Sequence, residues 1–350
     1  MNTTPAKIAL EADVKCSEAM QENYRHEKIV IGVPVYNEEK HIESALRSIQ
    51  EQNYNDFLVL ISDNASIDRT GEICKKFCDS DRRFIYIRQE KNIGAAMNFN
   101  YLLEHSSSKY FMWIGGHDMI HPSFLERHIN FLENNPEYVL SYSYTQWIDE
   151  EGNYIRVTNG GGYDKYNNLS PWDRYFKFVT AYPNECTPVN QVIRKSASKG
   201  FSFSQVSGCD HILLSRLFMR GVWNCYNECL YLRRIFSSRD SSSITRITGN
   251  HRDNRNRKYK LFKAWAVDLI TLNTTYLMRP VRLIKFSYLF HTNFVLQARA
   301  NYTIKQVRNS KNKANALYEL VLNVAKAPCL IFSKSILKLA VKKILGINDK

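Results

Sequence analysis

The chain has 350 residues, 44% of them hydrophobic and 13% aromatic, which suits a globular protein with a substantial core. No stretch of about 18 uncharged apolar residues occurs, so the sequence predicts no membrane-spanning helix. The net charge of +14 is unevenly distributed along the chain, because residues 251–350 hold 20 Lys and Arg against 4 Asp and Glu. A basic C-terminal third predicts contact with an anionic surface, either nucleic acid or membrane headgroups.

The cysteines and the N-terminus indicate a cytoplasmic protein. Residues 1–27 lack the basic-then-apolar pattern of a signal peptide. The cysteine pairs 74/78 and 225/229 are each separated by three residues, which is not the usual spacing of a zinc knuckle. We interpret the eight scattered cysteines as reduced thiols rather than as metal ligands.

The first half of the chain alternates between predicted strands and helices. After a polar leader at residues 1–26, continuous apolar runs predict buried strands, and amphipathic segments between them predict helices. The predicted strands cover 28–35, 57–61, 84–87 and 110–114, and the predicted helices cover 38–52, 69–79 and 97–104. Short connections and this order predict a parallel sheet covered by helices on both faces.

The second half has weaker patterns. We predict helices at 122–133, 171–180 and 210–221, strands at 138–144, 189–194, 223–225 and 230–235, a turn at 147–152 and a loop at 158–170. Residues 258–345 are predicted to be helical. The expected organisation is a leader at 1–26, one α/β domain at 27–245, and a basic helical region at 246–350.

Polar residues follow each of the first four predicted strands, in the pairs Asn37/Glu38, Asp63/Asn64, Arg88/Asn92 and His117/Asp118. The carboxyl ends of parallel strands meet at one edge of the sheet, which is where ligands bind in such folds. Asp118 also follows Gly115 and Gly116, and glycines allow a metal ion and a phosphate to approach the backbone closely. The alternative for each acid is a helix cap.

The order of these motifs resembles the inverting family 2 glycosyltransferases, which have the GT-A fold. The similarity covers about residues 28–240, and it implies an α/β, Rossmann-like, mostly parallel sheet flanked by helices, followed here by the basic helical extension. The matching stretches are 33–38, 62–68, 92–94 with Asn98, 113–122, 210–214 with Gly221, and 230–234.

The resemblance implies a binding site for a nucleotide-sugar donor, which we expect to be UDP-linked. Asp63 would accept a hydrogen bond from the pyrimidine imide, and Arg233 and Arg234 would lie near the diphosphate, which Arg can bind bidentately. The other donor-binding residues are expected to be Pro34, Tyr36, Glu38, Asn64, Arg88 or Lys91, Asn92, Gly94 and His117.

Asp118 and Asp210 carry the chemistry that the resemblance implies. Asp118 matches the last acid of the family's Asp-x-Asp-like motif and would bind Mn²⁺ or Mg²⁺ at the diphosphate. Asp210 matches the catalytic base that takes the acceptor proton, with an ordinary N-cap as the alternative. The sequence departs from the family at His117, where an acid is usual, and at Phe236, where a histidine is frequent; Arg239 or His251 are candidates to replace that histidine.

The resemblance also implies a saccharide or lipid-linked acceptor, in the synthesis of a surface polysaccharide. Lys334, Lys338 and Lys342 share one face of a predicted helix whose opposite face is apolar, which suits peripheral contact with the anionic inner face of the cell membrane. The alternative is a helix packed on the domain. We expect no nucleic-acid partner, because no RNA-binding signature accompanies the basic segments.

Two other functions compete with this hypothesis. A sugar-phosphate nucleotidyltransferase would need a Gly-rich loop with Arg and Lys after the first strand, where this chain has residues 36–39, Tyr-Asn-Glu-Glu. A decayed transferase fold could serve as a non-catalytic module that binds nucleotide sugars or nucleic acid. Only His117 supports that module, whereas Asp63, Asp118 and Asp210 argue against it.

Overall fold

The computed structural model describes residues 27–181, 186–203 and 209–236. The leader predicted at 1–26 and the helices predicted at 258–345 lie outside these ranges, as do Arg239 and His251. In the described ranges, no helix has both the length and the apolar character needed to cross a membrane.

The described residues form nine strands and six α-helices. The strands are β1 (Ile29–Val35), β2 (Phe57–Asp63), β3 (Phe84–Arg88), β4 (Tyr110–Trp113), β5 (Met119–Ile120), β6 (Tyr138–Ile148), β7 (Tyr154–Thr158), β8 (Val192–Arg194) and β9 (Val222–Arg234). The helices are α1 (Ile42–Gln50), α2 (Thr70–Ser80), α3 (Ala95–Glu104), α4 (Phe124–Asn134), α5 (Pro171–Ala181) and α6 (Cys209–Arg220). Short 3₁₀ turns lie at Tyr163–Tyr166, Thr187–Asn190 and Lys195–Ser198.

All nine strands join one sheet, in the order β3-β2-β1-β4-β8-β6-β9-β5, with β7 paired to β6. The first four strands are mutually parallel, as predicted. Strand β8 then runs antiparallel to both β4 and β6, and β9 returns parallel to β6. The carboxyl ends of β1, β2, β3 and β4 therefore lie along one edge, where the sequence placed its polar pairs.

The apolar runs form these central strands because both faces of the sheet are covered. Every residue of β2 is buried, and β1 is buried at six of its seven positions. The inner stripe predicted for α1, at Ile42, Ala45, Leu46 and Ile49, has no exposed surface. Fully burying one such Leu or Ile side chain stabilises the fold by about 1.5–3 kcal/mol.

The structure corrects several predicted boundaries. Strand β6 continues to Ile148, where a turn was predicted, because it pairs with β7, which the sequence analysis missed. The two strands predicted at 223–225 and 230–235 are one strand, β9. The pairing with β6 skips from Tyr226 to Cys229, so Asn227 and Glu228 bulge out of the ladder and expose their polar side chains.

A buried histidine makes the stability of this fold depend on pH. His128 of α4 has no exposed surface, and a 2.7 Å hydrogen bond joins its Nδ1 to Ser141 Oγ. Burial, followed by the charge of Arg127, lowers the pKa of His128 to about 3. Because the unfolded chain binds a proton near pH 6.5 and the folded chain does not, stability is lost as the pH falls from about 6.5 towards 3.

We therefore expect the free energy of unfolding to fall by about 2 kcal/mol more between pH 7 and pH 5 in the wild type than in His128→Gln. Urea unfolding of both proteins at both pH values measures this difference. An equal pH dependence in the two proteins would contradict the assignment, whatever the absolute stability of the variant.

Candidate functional site

A cavity of about 320 Å³ lies at the carboxyl ends of the central strands. Predicted site residues that line it are Pro34, Tyr36, Glu38, Asn64, Asn92, His117, Asp118 and Arg233. Other residues that line it are Val35, Ala95, Asn98, Phe99, Gly115 and Asn190. Asp63, Arg88, Gly94, Arg234 and Asp210 are not part of its lining. A larger groove of about 660 Å³ lies between α1 and α2, but it contains none of the predicted site residues.

The ends of β1 and β2 are held together by the polar motif that follows β2. The Asn37 N–H donates to Ser66 Oγ over 3.0 Å, and the Ile67 N–H donates to Asn37 Oδ1 over 2.9 Å. The Glu38 N–H donates to Thr70 Oγ1 over 2.8 Å. Asn37 adopts a left-handed φ of 54°, which Asn tolerates better than most residues. The motif therefore fixes the backbone that presents Glu38 to the cavity.

Asp63 is the last residue of β2 and has no exposed surface. Its Oδ2 accepts hydrogen bonds from the Tyr86 hydroxyl at 2.5 Å and Arg88 Nη1 at 2.8 Å, and its Oδ1 accepts one from the Ser66 N–H at 2.8 Å. Burial and the bond to Asp63 raise the pKa of Tyr86 to about 12, so its hydroxyl stays a donor. Three of about four acceptor positions on the carboxylate are thus in use.

This arrangement modifies the expected role of Asp63. A pyrimidine can reach the carboxylate only if Tyr86 or Arg88 shifts, because the group has no exposed surface. Arg88 is half-exposed and also donates to the Ser66 carbonyl over 2.8 Å. In the described conformation, Asp63 therefore orients Arg88, and the guanidinium is the more accessible of the two groups.

Two amides that line the cavity, Asn64 and Asn92, are hydrogen-bonded to each other. Asn64 Nδ2 donates to Asn92 Oδ1 over 2.9 Å, and Asn64 Oδ1 accepts from the Ile93 N–H over 2.8 Å. Asn92 Oδ1 also accepts from the Gly94 N–H over 2.9 Å. Gly94 has a φ of +84°, which favours glycine, and it directly precedes α3. Gly94 therefore shapes the turn that positions Asn92.

Asp118 is 2% exposed and is fixed by strand β9. Its Oδ2 accepts from the Tyr231 hydroxyl over 2.8 Å, and its Oδ1 accepts from the Arg234 N–H over 2.9 Å. Burial, and then the charge of Asp118, raise the pKa of Tyr231 well above its ordinary value, so the hydroxyl remains protonated. A Cβ at Gly115 would lie 3.1 Å from Asp118 Oδ2, a tight contact that a glycine avoids.

His117 lies between Glu38 and Asp118. Its Nδ1 is 3.2 Å from Glu38 Oε1, and its Nε2 is 3.9 Å from Asp118 Oδ1. The ring of Phe236 packs edge-on against His117, with 5.2 Å between the ring centres. The residue found in place of the family's usual histidine therefore contributes an apolar contact to this side of the site.

A divalent cation fits these residues. Asp118 lines the cavity and keeps free acceptor positions beside His117, since each carboxylate oxygen uses only one here. Mg²⁺ is often held by one or two carboxylates together with substrate phosphates and water, so a single acid is sufficient. Asp118, with His117 beside it, would hold Mn²⁺ or Mg²⁺ against a diphosphate.

The two arginines at the end of β9 have different environments. Arg234 is 7% exposed; its Nη1 donates to the carbonyls of Asp149 and Glu150 at 3.0 and 2.7 Å, and its Nε donates to the His117 carbonyl at 3.2 Å. Of the two arginines predicted to meet a diphosphate, Arg233 lines the cavity, whereas Arg234 uses its Nε and Nη1 to bind backbone carbonyls.

Asp210 is the second residue of α6 and is half-buried. Its Oδ1 accepts from the N–H of the next residue, His211, over 3.1 Å. An N-cap side chain bonds an N–H two or three residues further on, so this contact differs from the one that the alternative prediction described. The turn Thr187–Asn190 begins next to Cys186, which approaches Asp210, and ends at Asn190, which lines the cavity. Asp210 therefore does not line the cavity, and the segment from Cys186 to Asn190 connects its surroundings to the lining.

Several contributors were missed from sequence. Tyr86, Cys186 and Asn190 carry no motif, and Tyr231 lies in the matching stretch 230–234 but was given no role, because these roles depend on contacts between distant segments. The one available signal was a tyrosine at the polar end of an apolar strand, since a buried tyrosine hydroxyl generally finds a hydrogen-bond partner.

Comparison with known proteins identifies the family and the fold. The family described as glycosyl transferase family 2 matches residues 30–201. A glycosyltransferase of Methanocaldococcus jannaschii, itself described as uncharacterized, is 30% identical over 159 residues, which are 45% of this chain and 54% of that protein. Glycosyltransferase GlyA of Streptococcus pneumoniae is 29% identical over 153 residues, 43% of this chain and 22% of that protein. The chain thus spans about half, or less, of the length of these curated relatives.

Solved structures show the same architecture. TarS 1–349 from S. aureus, in complex with UDP-GlcNAc, is similar with a TM-score of 0.59 at 14% identity, covering 91% of this chain and 90% of that chain. At 14% identity, structural similarity shows that the two proteins share a fold. Together with the family match, it confirms the expected fold class, and residues 30–201 therefore belong to glycosyl transferase family 2 and have the α/β GT-A fold.

Proposed function

We propose that the protein transfers a hexose, with inversion, from a UDP-linked donor to a saccharide or lipid-linked acceptor in the synthesis of a surface polysaccharide. The observation that carries this proposal is the cavity in which Asp118, Arg233 and the Asn64–Asn92 pair converge at the ends of parallel strands. The UDP-GlcNAc complex of TarS, a protein of similar fold, supports UDP as the nucleotide.

The residues divide the chemistry between them. The acceptor oxygen attacks the anomeric carbon, its proton passes to the Asp210 carboxylate, and the bond to the UDP oxygen breaks. Arg233 offsets the charge that develops on the diphosphate. A divalent cation at Asp118 and His117 would add electrostatic stabilisation of the same leaving group.

The competing functions differ in turnover. A non-catalytic module would bind UDP-sugar without releasing UDP, and a nucleic-acid-binding module would not bind UDP at all. The nucleotidyltransferase is disfavoured by the absence of a basic Gly-rich loop after β1, since residues 36–39 are Tyr-Asn-Glu-Glu. UDP release from a panel of UDP-sugars, with and without Mn²⁺, separates these functions.

UDP binding should depend on the pair formed by Asp63 and Arg88. Replacing Asp63 with Asn is expected to weaken UDP binding by about 1–3 kcal/mol, because Arg88 loses the carboxylate that orients it and the base loses an acceptor. Isothermal titration calorimetry of wild type and variant measures the change. Asp79→Asn, an exposed aspartate of α2, is the matched control.

A double-mutant cycle with Arg88→Gln tells the two roles apart. If Asp63 acts through Arg88, the double variant binds UDP no more weakly than either single variant. If Asp63 contacts the base directly, the two losses add. Unchanged affinity in Asp63→Asn would mean that the nucleotide lies elsewhere.

We also propose that the basic C-terminal region brings the enzyme to the anionic inner face of the cell membrane. Lys334, Lys338 and Lys342 are the predicted contacts, each worth about 1 kcal/mol near such a surface. Replacing all three with Gln in the full chain should shift the protein from sedimenting anionic liposomes to the supernatant, and high salt should do the same to the wild type.

The control for this experiment removes equal charge elsewhere. Lys76, Lys165 and Lys199 are exposed lysines of the described domain, and their triple replacement by Gln should leave sedimentation unchanged. If both triple variants lose binding equally, net charge rather than the predicted helix determines association, and the proposal fails.

A further inference from the structure

A cluster of three metal-ligating side chains lies beside α6, outside the cavity lining. The cluster consists of Cys186, Asp210 and His211, which we call the thiol cluster. One ligand atom from each residue lies within 4.8 Å of the others. Cys186 Sγ is 3.1 Å from His211 Nε2 and 3.4 Å from its Nδ1.

The spacing suits tetrahedral zinc. Zinc bonds to sulfur, nitrogen and oxygen of about 2.0–2.3 Å place neighbouring ligands roughly 3.3–3.6 Å apart in a tetrahedron. Cys186 Sγ lies at similar distances from both ring nitrogens, so it packs over the face of the His211 ring. The ring must therefore turn to point one nitrogen at an ion that it shares with the thiolate. Three protein ligands also leave a fourth position for water, as in zinc sites that are not closed.

The chemistry of the donors distinguishes this cluster from the Asp118 site. A thiolate with an imidazole and one carboxylate favours a soft or borderline cation such as Zn²⁺ over Mg²⁺ or Mn²⁺. Asp118 offers a carboxylate and lines the cavity in which we place the diphosphate. Carboxylate and phosphate oxygens suit hard cations. The two sites should therefore select different metals.

The three side chains are partly or largely buried and lie at fixed positions of the fold, which distinguishes the cluster from a chance contact on the surface. His211 is 9% exposed, and Cys186 and Asp210 are half-buried. Asp210 and His211 are adjacent at the start of α6, where the His211 N–H already bonds Asp210 Oδ1. Cys186 precedes the turn Thr187–Asn190, so the cluster links α6 to the segment that ends at the cavity.

We propose that the thiol cluster binds one Zn²⁺ and that bound zinc inhibits transfer by occupying the Asp210 carboxylate. The binding site stands on the geometry of the three ligands. The inhibition rests on the proposed function, in which Asp210 is the base.

Zinc binding is tested on the chelator-treated full-length protein, without substrate. Zn²⁺ titration against a chromogenic chelator should give one site per chain, and Co²⁺ should produce a thiolate charge-transfer band. Cys186→Ser and His211→Gln should each lower zinc affinity by roughly 100-fold or more, since loss of a mere hydrogen-bond partner to a ligand already costs 10- to 100-fold. Cys229→Ser, a half-buried thiol of β9, is the control and should behave as wild type.

Inhibition is then measured by adding Zn²⁺ to the transfer assay. Transfer by the wild type and Cys229→Ser should be inhibited, and Cys186→Ser should resist zinc at the same concentration. Equal zinc affinity and an unchanged cobalt band in Cys186→Ser would overturn the site. Tight binding that depends on Cys186 but leaves transfer unaffected would support the site and refute Asp210 as the base.

Discussion

Replacing Asp210 with Asn is expected to lower kcat by roughly 10²–10⁴ and to leave the dissociation constant of UDP unchanged. The substitution keeps the size of the side chain and the acceptor oxygen for the His211 N–H, but it removes the group that takes the acceptor proton. The transfer rate and UDP affinity are measured on the same preparation.

The contact between Asp210 and the His211 N–H makes a control necessary. Asp173, near the start of α5, accepts a hydrogen bond from the Ser170 hydroxyl over 2.6 Å and has an exposed side chain. Asp173→Asn should change stability as much as Asp210→Asn while leaving kcat unaffected. If Asp210→Asn loses UDP binding and kcat together, the residue is a structural cap. If it loses neither, Asp149 and Glu150 become the next candidates for the base.

Replacing Asp118 with Asn should remove the metal dependence of transfer and lower kcat/KM by roughly 10²–10⁴, because several kcal/mol of stabilisation at the diphosphate depend on the cation. Asn retains an oxygen but lacks the charge that holds a hard cation. Titration with Mn²⁺ should no longer raise the rate, and thermal unfolding should show that the variant is folded.

Tyr231→Phe should have a smaller effect on metal-dependent transfer than Asp118→Asn. It removes the hydroxyl that donates to Asp118 Oδ2 but preserves the carboxylate, so metal-dependent transfer should weaken without disappearing. Full activity of Asp118→Asn, or full activity of the wild type in EDTA, would refute the metal assignment.

The central strands could be predicted from sequence because their signal is local. Strands β1 and β2 are continuous apolar runs, and α1 has its apolar residues at helical spacing, so burial alone fixes these elements. The same reasoning placed Glu38, Asn64, Asn92 and Asp118 on one edge of the sheet. Residues that follow parallel strands within a few positions are brought to the same edge of the sheet.

The second half could not be predicted as well, because its strands are stabilised by distant partners. Strand β7 is mostly exposed and is recognisable only by its pairing with β6. The contacts of Asp63 and Arg234 could not be predicted for a related reason. A motif gives the position of a charged side chain along the chain, but the partners that satisfy it, Arg88 for one and the 149–150 carbonyls for the other, come from the fold.

The attachment of Asp118 to β9 has a consequence for biosynthesis. Its carboxylate is positioned by Tyr231 and by the backbone of Arg234, which are 113 and 116 residues further along the chain. A nascent chain that has emerged only as far as β8 has the central parallel strands but lacks both donors. Domains generally fold as units during synthesis, so the Asp118 carboxylate acquires both donors only when the last strand of the sheet is added. Truncated translation products that end before residue 230 should therefore be inactive even where their central sheet is folded.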